Sequence, residues 1–190
     1  MKSLANFAVF QAVWFGAVLG ACEGEIWLGP IAATLGILVH LCMLPQTDRW
    51  LRELSLVASF GIIGSAIDSS LYLANLLQYP TSAESWLLPM VPPWIAALWF
   101  ATGILPRFSL AWLSRSAWLA SIAGALGGPA SFLAGRSLGV IESGNNLETT
   151  LVVLSIEYAV LVPLLLYAHA RWVKGIPRTE DSEFDESHSV

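Results

Sequence analysis

Long apolar segments separated by short polar stretches dominate the pattern along the chain. A helix that crosses a bilayer needs about 20 mainly apolar residues. Six segments approach that length, at residues 4–22, 26–44, 54–77, 91–113, 117–134 and 149–172. The pattern therefore predicts an all-α fold, a polytopic transmembrane helical bundle of about six spans within residues 1–175.

The fourth segment is the one whose bounds the pattern defines least sharply. Pro93 stands at its start and Pro106 near its end. Proline suits the first turn of a helix but disrupts the interior. We therefore expect a helix that begins near Pro93 and either ends at Leu105 or continues with a kink to Leu113.

The composition agrees with a membrane protein. Hydrophobic residues make up 56% of the 190 residues and charged residues only 12%, about half the charged fraction of an average soluble domain. The net charge of −5 arises in the last residues, where 179–190 hold five acids and no Lys or Arg. We expect residues 176–190 to form an acidic, disordered cytoplasmic tail. Membrane lipids are the expected surroundings, and nucleic-acid binding is not expected.

The basic residues predict the orientation. Cytoplasmic segments of membrane proteins carry an excess of Lys and Arg. If the N-terminus lies inside, eight of the nine bases fall on the cytoplasmic side, namely Lys2, Arg49, Arg52, Arg107, Arg115, Arg171, Lys174 and Arg178. Arg136 alone falls outside. Both termini are therefore expected in the cytoplasm.

Residues 1–22 also resemble a secretion signal that ends in a loose lipobox at Cys22. Gln11 and Trp14 lie in the middle of this apolar run, and a second apolar run follows directly. Both features are atypical of a cleaved signal. We expect the first helix to be retained.

Three charged residues are expected to form a polar cluster in the outer half of the bundle. Asp68 lies roughly 21 Å from the inner end of the third span, and Glu157 roughly 12 Å below the outer end of the sixth. Arg136 ends the fifth span. Acidic residues at such depth are costly, which makes them functional candidates. Ser69 is a secondary candidate, either as a hydrogen-bond partner of Asp68 or as part of a polar seam.

Three interpretations of this cluster stay open. Arg136 and Glu157 can form an ion pair that fixes helix packing. Asp68 and Glu157 can carry protons or cations during transport. One carboxyl group can act as a general acid or base on a lipid, although no nucleophile or metal accompanies it.

The fifth span contains Gly127, Gly128 and Pro129, which mark a candidate helix break. Proline lacks the N–H of a helical hydrogen bond, and discontinuous helices recur at the binding sites of transporters. Gly and Pro are also ordinary in membrane helices, where small residues allow close packing. The segment is therefore either a binding site or a packing contact.

Polar side chains elsewhere in the spans are expected to face the bundle. Trp14 and Trp99 lie near mid-span, where the indole N–H needs a partner, and the amide of Gln11 is expected to bridge helices. Pairs of glycines spaced four apart are compatible with a homo-oligomer or another membrane-protein partner. His40 and His169 lie on different spans, so no metal site is expected, and no cofactor is predicted.

Several short motifs resemble the bacterial domain-of-unknown-function 2878 family. The matching residues are Asn6, Phe10-Gln11, Trp14-Phe15, Ile67-Asp68-Ser69, Leu98-Trp99, Ser109 to Leu113, and Gly127-Gly128-Pro129 with Phe132, Gly135 and Gly139. The resemblance implies a small bacterial inner-membrane protein without an established activity, and it slightly favours a lipid-related role. A transport or envelope-accessory role is the first expectation. An enzyme or accessory factor of fatty-acyl modification is the second, and a structural or assembly protein the third.

Overall fold

The structure is a computed structural model that describes residues 1–44, 50–82, 86 and 88–174. Helices make up most of this part of the chain: α1 (Lys2–Cys22), α2 (Leu28–Cys42), α3 (Trp50–Leu73), α4 (Pro93–Thr102), α5 (Ala117–Ser137) and α6 (Leu147–Lys174). Two short strands, β1 (Leu77–Gln78) and β2 (Glu142–Ser143), pair antiparallel. The predicted helical bundle is confirmed. Arg49, Arg178 and the predicted acidic tail lie outside the described residues.

Four helices, α1, α3, α5 and α6, are long and apolar enough to cross a membrane. Helix α2 has 15 residues and α4 has 10, or about 22 Å and about 15 Å of helix against about 30 Å of hydrocarbon. The prediction of six full-length spans is therefore wrong for the second and fourth segments. After α4 the chain continues in turns to a 3-10 helix at Leu113–Arg115, because Pro106 cannot extend a helix.

Successive helices run in opposite directions. At one end, the Lys2 Nζ atom at the start of α1 donates a hydrogen bond to the Met43 carbonyl after α2, at 2.8 Å. At the other end, the backbone N–H of Val91 before α4 donates to Ser69 Oγ in α3, at 3.1 Å. We call the end where α1 begins the near end and the opposite end the far end. Leu166 of α6 packs with Leu113 at the near end.

The helices form two units. Helices α1 to α4 pack against one another around a core that includes Val18, Trp94 and Trp99. Helices α5 and α6 form an antiparallel hairpin whose most extensive packing is internal. A Cβ atom at Gly124 or Gly128 would collide with Tyr158 of α6, so these two glycines allow the hairpin to close.

Helix α5 runs without interruption through Gly127, Gly128 and Pro129. The predicted helix break is therefore wrong. Proline removes one hydrogen bond from a helix, but the neighbouring turns of α5 stay helical and its glycine face is held against Tyr158. Close packing explains Gly128, whereas a Cβ atom at Gly127 would meet no atom within 4 Å.

The hairpin is joined to the other helices at the far end. Strand β1 follows α3 and strand β2 precedes α6, and Leu77 pairs with Ser143 across them. The Thr150 hydroxyl of α6 donates to the Leu76 carbonyl at 3.2 Å. The Cys22 thiol at the end of α1 donates to the Leu138 carbonyl at 3.7 Å. These links place the two units side by side.

Replacing Gly124 with alanine is expected to destabilise the protein, because the new methyl group would overlap the Tyr158 carbonyl. Overpacking of this kind costs about 1–3 kcal/mol of unfolding free energy. Thermal unfolding of the purified protein in detergent, followed by circular dichroism, measures the change. Gly127→Ala is the matched control, because its methyl group enters open space. Equal unfolding temperatures for both variants and the unchanged protein would contradict the close contact between α5 and α6.

Candidate functional site

A cavity of about 590 Å³ lies between the α1–α4 unit and the α5–α6 hairpin. Its walls are mostly apolar and include Phe10, Leu98, Phe132 and Leu165. The lining side chains with hydrogen-bonding groups are Gln11, Trp14, Asp68, Trp94, Trp99, Thr102, Ser131 and Tyr158. Asp68 is the only acidic or basic residue among the residues that line the cavity. The cavity therefore combines a large apolar surface with one ionisable side chain.

Asp68 is held by Trp99. The indole Nε1 of Trp99 donates a hydrogen bond to Asp68 Oδ2 at 2.7 Å, and both residues are buried. The indole ring lies directly over Gly64 of α3, where a Cβ atom would overlap it. The prediction that Trp99 faces the bundle and binds a partner is confirmed.

The serines near Asp68 do not bind its carboxylate. Ser69 donates to the Ser65 carbonyl at 2.6 Å and accepts the backbone N–H of Val91. Ser70 donates to the Ala66 carbonyl. The prediction of Ser69 as a partner of Asp68 is therefore wrong, because Ser and Thr hydroxyls in helices readily bond the carbonyl one turn back. Ser69 instead holds the segment that leads into α4.

Glu157 lies beside this site. Both of its carboxylate oxygens are buried and have no hydrogen-bond partner among the described residues. Its carboxylate is close enough to Asp68 for the two groups to interact electrostatically. The next residue, Tyr158, stacks on Trp99 with ring centroids 5.4 Å apart. The structure thus brings together the two acids that the sequence singled out.

Tyr79 adds a further polar group to the same region. It lies in the loop after β1, is 5% exposed, and its hydroxyl has no partner among the described residues. Burial raises the pKa of Tyr79 well above its ordinary value, and the neighbouring Asp68 raises it further. The phenol therefore stays protonated and neutral at physiological pH.

Arg136 does not join the cluster. Its side chain is exposed at the end of α5. Among the described residues no Lys or Arg forms an ion pair, and the one acid–base contact is the hydrogen bond between His40 and Glu53. The ion pair between Arg136 and Glu157, one of the three interpretations, therefore does not form. Because an exposed guanidinium stays hydrated, it gains little from approaching a buried carboxylate.

Trp14 and Gln11 occupy the α1 wall of the cavity. Trp14 Nε1 donates to Ser131 Oγ of α5 at 3.3 Å, which confirms that this mid-span tryptophan faces a partner inside the bundle. Gln11 lines the cavity one turn away. On the opposite wall, Gly127 and Gly128 line the cavity and Pro129 does not.

Sequence reasoning missed a second polar network at the near end. His40 Nε2 lies 3.1 Å from Glu53 Oε1, and His40 Nδ1 lies 3.2 Å from the Asn6 amide nitrogen. Because that nitrogen can only donate, Nδ1 accepts and the ring proton on Nε2 is donated to Glu53. The same amide also donates to the Ile104 carbonyl, and Ser109 donates to Asn6 Oδ1 at 2.6 Å.

The network was missed because the third span was expected to begin at residue 54. In the structure α3 begins at Trp50, which places Glu53 inside the helix, where it is 4% exposed. A short connection between two antiparallel helices brings the end of α2 beside the start of α3. The available signal was that a base, His40, and an acid, Glu53, flank this connection in the sequence. Among the described residues, no three His, Cys, Asp or Glu side chains are grouped to hold a metal ion.

The chain matches a family model described as "Protein of unknown function (DUF2878)" over residues 3–164. No curated protein and no solved structure matches it. The matched range contains Asp68 and Glu157 as well as the near-end residues Asn6, His40 and Glu53. It ends before His169. The family description carries no activity, substrate or partner.

Replacing Asp68 with alanine is expected to lower the unfolding free energy by about 1–3 kcal/mol, because the buried Trp99 N–H loses its acceptor. Asp68→Asn keeps an oxygen at that position and is expected to unfold close to the temperature of the unchanged protein. Thermal unfolding in detergent compares the two variants. An equal loss of stability for Asn and Ala would contradict the role of the hydrogen bond to Trp99.

Proposed function

Because this chain belongs to the DUF2878 family, for which no activity is described, we propose a function from its cavity: the protein binds an amphipathic molecule inside the membrane. It does so in a transport or accessory role in the cell envelope. The observation that carries this proposal is the cavity of about 590 Å³ between the two helical units. Its size falls within the range of about 300–1,000 Å³ that is usual for ligand sites.

The outer surface of the bundle supports a membrane location. Large apolar side chains are exposed on the outward faces of several helices, among them Leu35, Ile62, Leu126, Val152 and Leu164. Exposure of this extent is unfavourable in water and suits contact with lipid. We assign the protein to the bacterial inner membrane.

The positions of the bases support an orientation with the near end in the cytoplasm. Lys2, Arg52, Arg115 and Arg171 belong to helix ends or turns at the near end. Arg136 belongs to the far end of α5. This distribution follows the positive-inside rule. Asp68 and Glu157 then lie toward the outer leaflet.

Exposed residues in the cavity lining support a side opening between α1 and α5, which would face lipid in a membrane. Phe7 of α1 and Gly127 and Ser131 of α5 line the cavity and are also exposed on the outer surface. The Trp14–Ser131 hydrogen bond links the two helices at this opening. A molecule dissolved in the bilayer therefore has a direct path into the cavity, with its apolar part against the aromatic walls.

Binding is favoured over catalysis by the hydroxyl groups of the cavity. Thr102 donates to the Leu98 carbonyl at 2.8 Å, and Ser131 accepts from Trp14. Neither hydroxyl forms a hydrogen bond with a histidine or carboxylate in the part of the chain that the structure describes. A hydroxyl nucleophile needs an adjacent base for activation. The walls therefore provide shape and recognition without an activated nucleophile.

Filling the cavity is expected to abolish binding. Gly127→Trp places a large side chain where a Cβ atom meets open space, at the opening between α1 and α5. The amount of bilayer-derived ligand that copurifies, measured by native mass spectrometry and solvent extraction, should fall at least tenfold. Leu126→Trp is the matched control, because Leu126 is 68% exposed on the lipid side of the same helix.

An equal ligand content in both tryptophan variants would overturn the proposed function. The comparison requires that both variants unfold near the temperature of the unchanged protein. A smaller substitution, Gly127→Leu, provides a second test if the tryptophan variant does not fold. It is expected to reduce the ligand content by a smaller factor.

A further inference from the structure

Polar groups from both helical units meet at one level of the cavity. Trp14 of α1 donates to Ser131 of α5, and both helices run from the near end to the far end. Gln11 and Gly128 lie three residues before these two partners, so they are level with each other. A Cβ atom at Gly128 would overlap the ring of Tyr158. Gln11 and Tyr158, which both line the cavity, therefore lie at the same level on its two sides.

Asp68 belongs to the same level through its contact with Trp99. The indole Nε1 of Trp99 donates to Asp68 Oδ2 at 2.7 Å, and the indole ring stacks on Tyr158 with ring centroids 5.4 Å apart. Asp68, Trp99 and Tyr158 all line the cavity. We call Gln11, Asp68 and Tyr158 the polar level of the cavity.

Each residue of the polar level keeps a hydrogen-bonding group free. The second carboxylate oxygen of Asp68, the Gln11 amide and the Tyr158 hydroxyl form no hydrogen bond with another described residue. The ring of Tyr158 is held between Trp99 and Gly128, which fixes the position of its hydroxyl. A carboxylate accepts hydrogen bonds, whereas an amide and a phenol both donate and accept. A ligand group that also donates and accepts would satisfy all three residues.

The polar level lies about half-way along the bundle. Gln11 is in the middle of α1 (Lys2–Cys22), about 14 Å from the near end and about 16 Å from the far end at the rise of a helix. A charged group is costly at such a depth in a membrane. No Lys, Arg or His lines the cavity to offset an anion. These constraints favour a ligand whose polar group is uncharged.

We propose that the ligand is a lipid alcohol, whose uncharged hydroxyl group binds among Gln11, Asp68 and Tyr158 while its hydrocarbon part fills the apolar cavity. This inference rests on the proposed function and names the class of ligand. A hydroxyl group can donate to Asp68 and accept from Tyr158 or Gln11. At about 30 Å³ per non-hydrogen atom, the share of a water molecule in the liquid, the cavity of about 590 Å³ holds about 20 such atoms. This is room for one hydrocarbon chain.

Other polar groups fit the polar level less well. A carbonyl or ether oxygen only accepts, so it offers no donor to Asp68. An ammonium group only donates, so it leaves the N–H groups of Gln11 without an acceptor. A carboxylate or a phosphate brings a negative charge to a cavity without a base in its lining.

Competition binding tests the alcohol assignment. The full-length protein in lipid nanodiscs made only of phosphatidylcholine is incubated with radiolabelled 1-dodecanol. Unlabelled 1-dodecanol, its methyl ether, dodecylamine and dodecanoate compete. We expect 1-dodecanol to compete about tenfold better than the methyl ether, because the ether gives Asp68 no donor. Dodecylamine and dodecanoate should compete no better than the ether.

Tyr158→Phe removes the hydroxyl and keeps the ring against Trp99 and Gly128. The affinity for 1-dodecanol should fall about threefold to tenfold. The unfolding temperature should stay the same, because the hydroxyl forms no hydrogen bond within the described part of the chain. Tyr167→Phe is the matched control, because Tyr167 is 58% exposed on the same helix. Gln11→Leu should also weaken binding and provides a second test if the phenylalanine variant does not fold.

The diacylglycerol 1,2-dioleoylglycerol distinguishes two sources of the hydroxyl group. Competition by this lipid assigns the hydroxyl to an uncharged glycerolipid, one chain of which stays outside the cavity. Binding of 1-dodecanol without competition by dioleoylglycerol assigns it to a single-chain alcohol.

Three results would overturn the alcohol assignment. The methyl ether, dodecylamine or dodecanoate competing as well as 1-dodecanol would show a cavity that does not select a hydroxyl group. Unchanged affinity in both Tyr158→Phe and Gln11→Leu would place the hydroxyl elsewhere. The proposed function stands after either result. If no probe binds, the assignment is wrong, and the proposed function falls with it when Gly127→Trp also leaves the copurified ligand unchanged.

Discussion

The hydrogen bond between Trp99 and Asp68 is the interaction on which the far half of the bundle depends. A carboxylate inside an apolar bundle needs a donor, and the Trp99 indole supplies it at 2.7 Å. The indole reaches that position because Gly64 leaves room over α3. Tyr158 stacks on the indole, and Gly128 accommodates Tyr158. One buried acid thus sets a chain of contacts that runs from α3 through α4 to the α5–α6 hairpin.

Both ends of the bundle contain buried polar groups, and at each end some of these groups have no partner among the described residues. At the near end, Asn6, His40, Glu53 and Ser109 bind one another, so the network fixes α1, α2, α3 and the turns after α4 in place. At the far end, Glu157 and Tyr79 have buried oxygens without a partner among the described residues, and at the near end His169 Nε2 is likewise unpaired. A paired network such as the one around His40 stabilises one packing arrangement.

Two prolines in the described helices illustrate how packing overrides local signals. Pro129 lies inside α5 and Pro163 inside α6, and both helices are continuous. Pro106, by contrast, lies among turns after α4. The glycines of α5 pack tightly against Tyr158, which holds the helix together around Pro129. No such contact continues α4: the chain leaves the helix at Gly103, which lies against Val57, before it reaches Pro106.

Hydrophobic pattern alone predicted the helical bundle, and counting along the spans predicted that Asp68 and Glu157 lie at similar depth, which agrees with their positions in the far halves of α3 and α6. The indole partners of Trp14 and Trp99 followed from the cost of an unpaired N–H at mid-span. The cavity was not predictable, because it depends on how two helical units pack side by side rather than on any one segment. Arg136 was placed wrongly, since a residue at a helix end can point outward as easily as inward. Glu53 was overlooked because the start of α3 moved by one helical turn.

An experimental structure of the protein in a lipid nanodisc tests the central claim most directly. The proposed function predicts elongated non-protein density in the cavity between α1, α4, α5 and α6, with one end within hydrogen-bonding distance of Asp68. A bundle in which α5 and α6 close against α1 and α4, so that protein side chains fill the space beside Asp68, would contradict it.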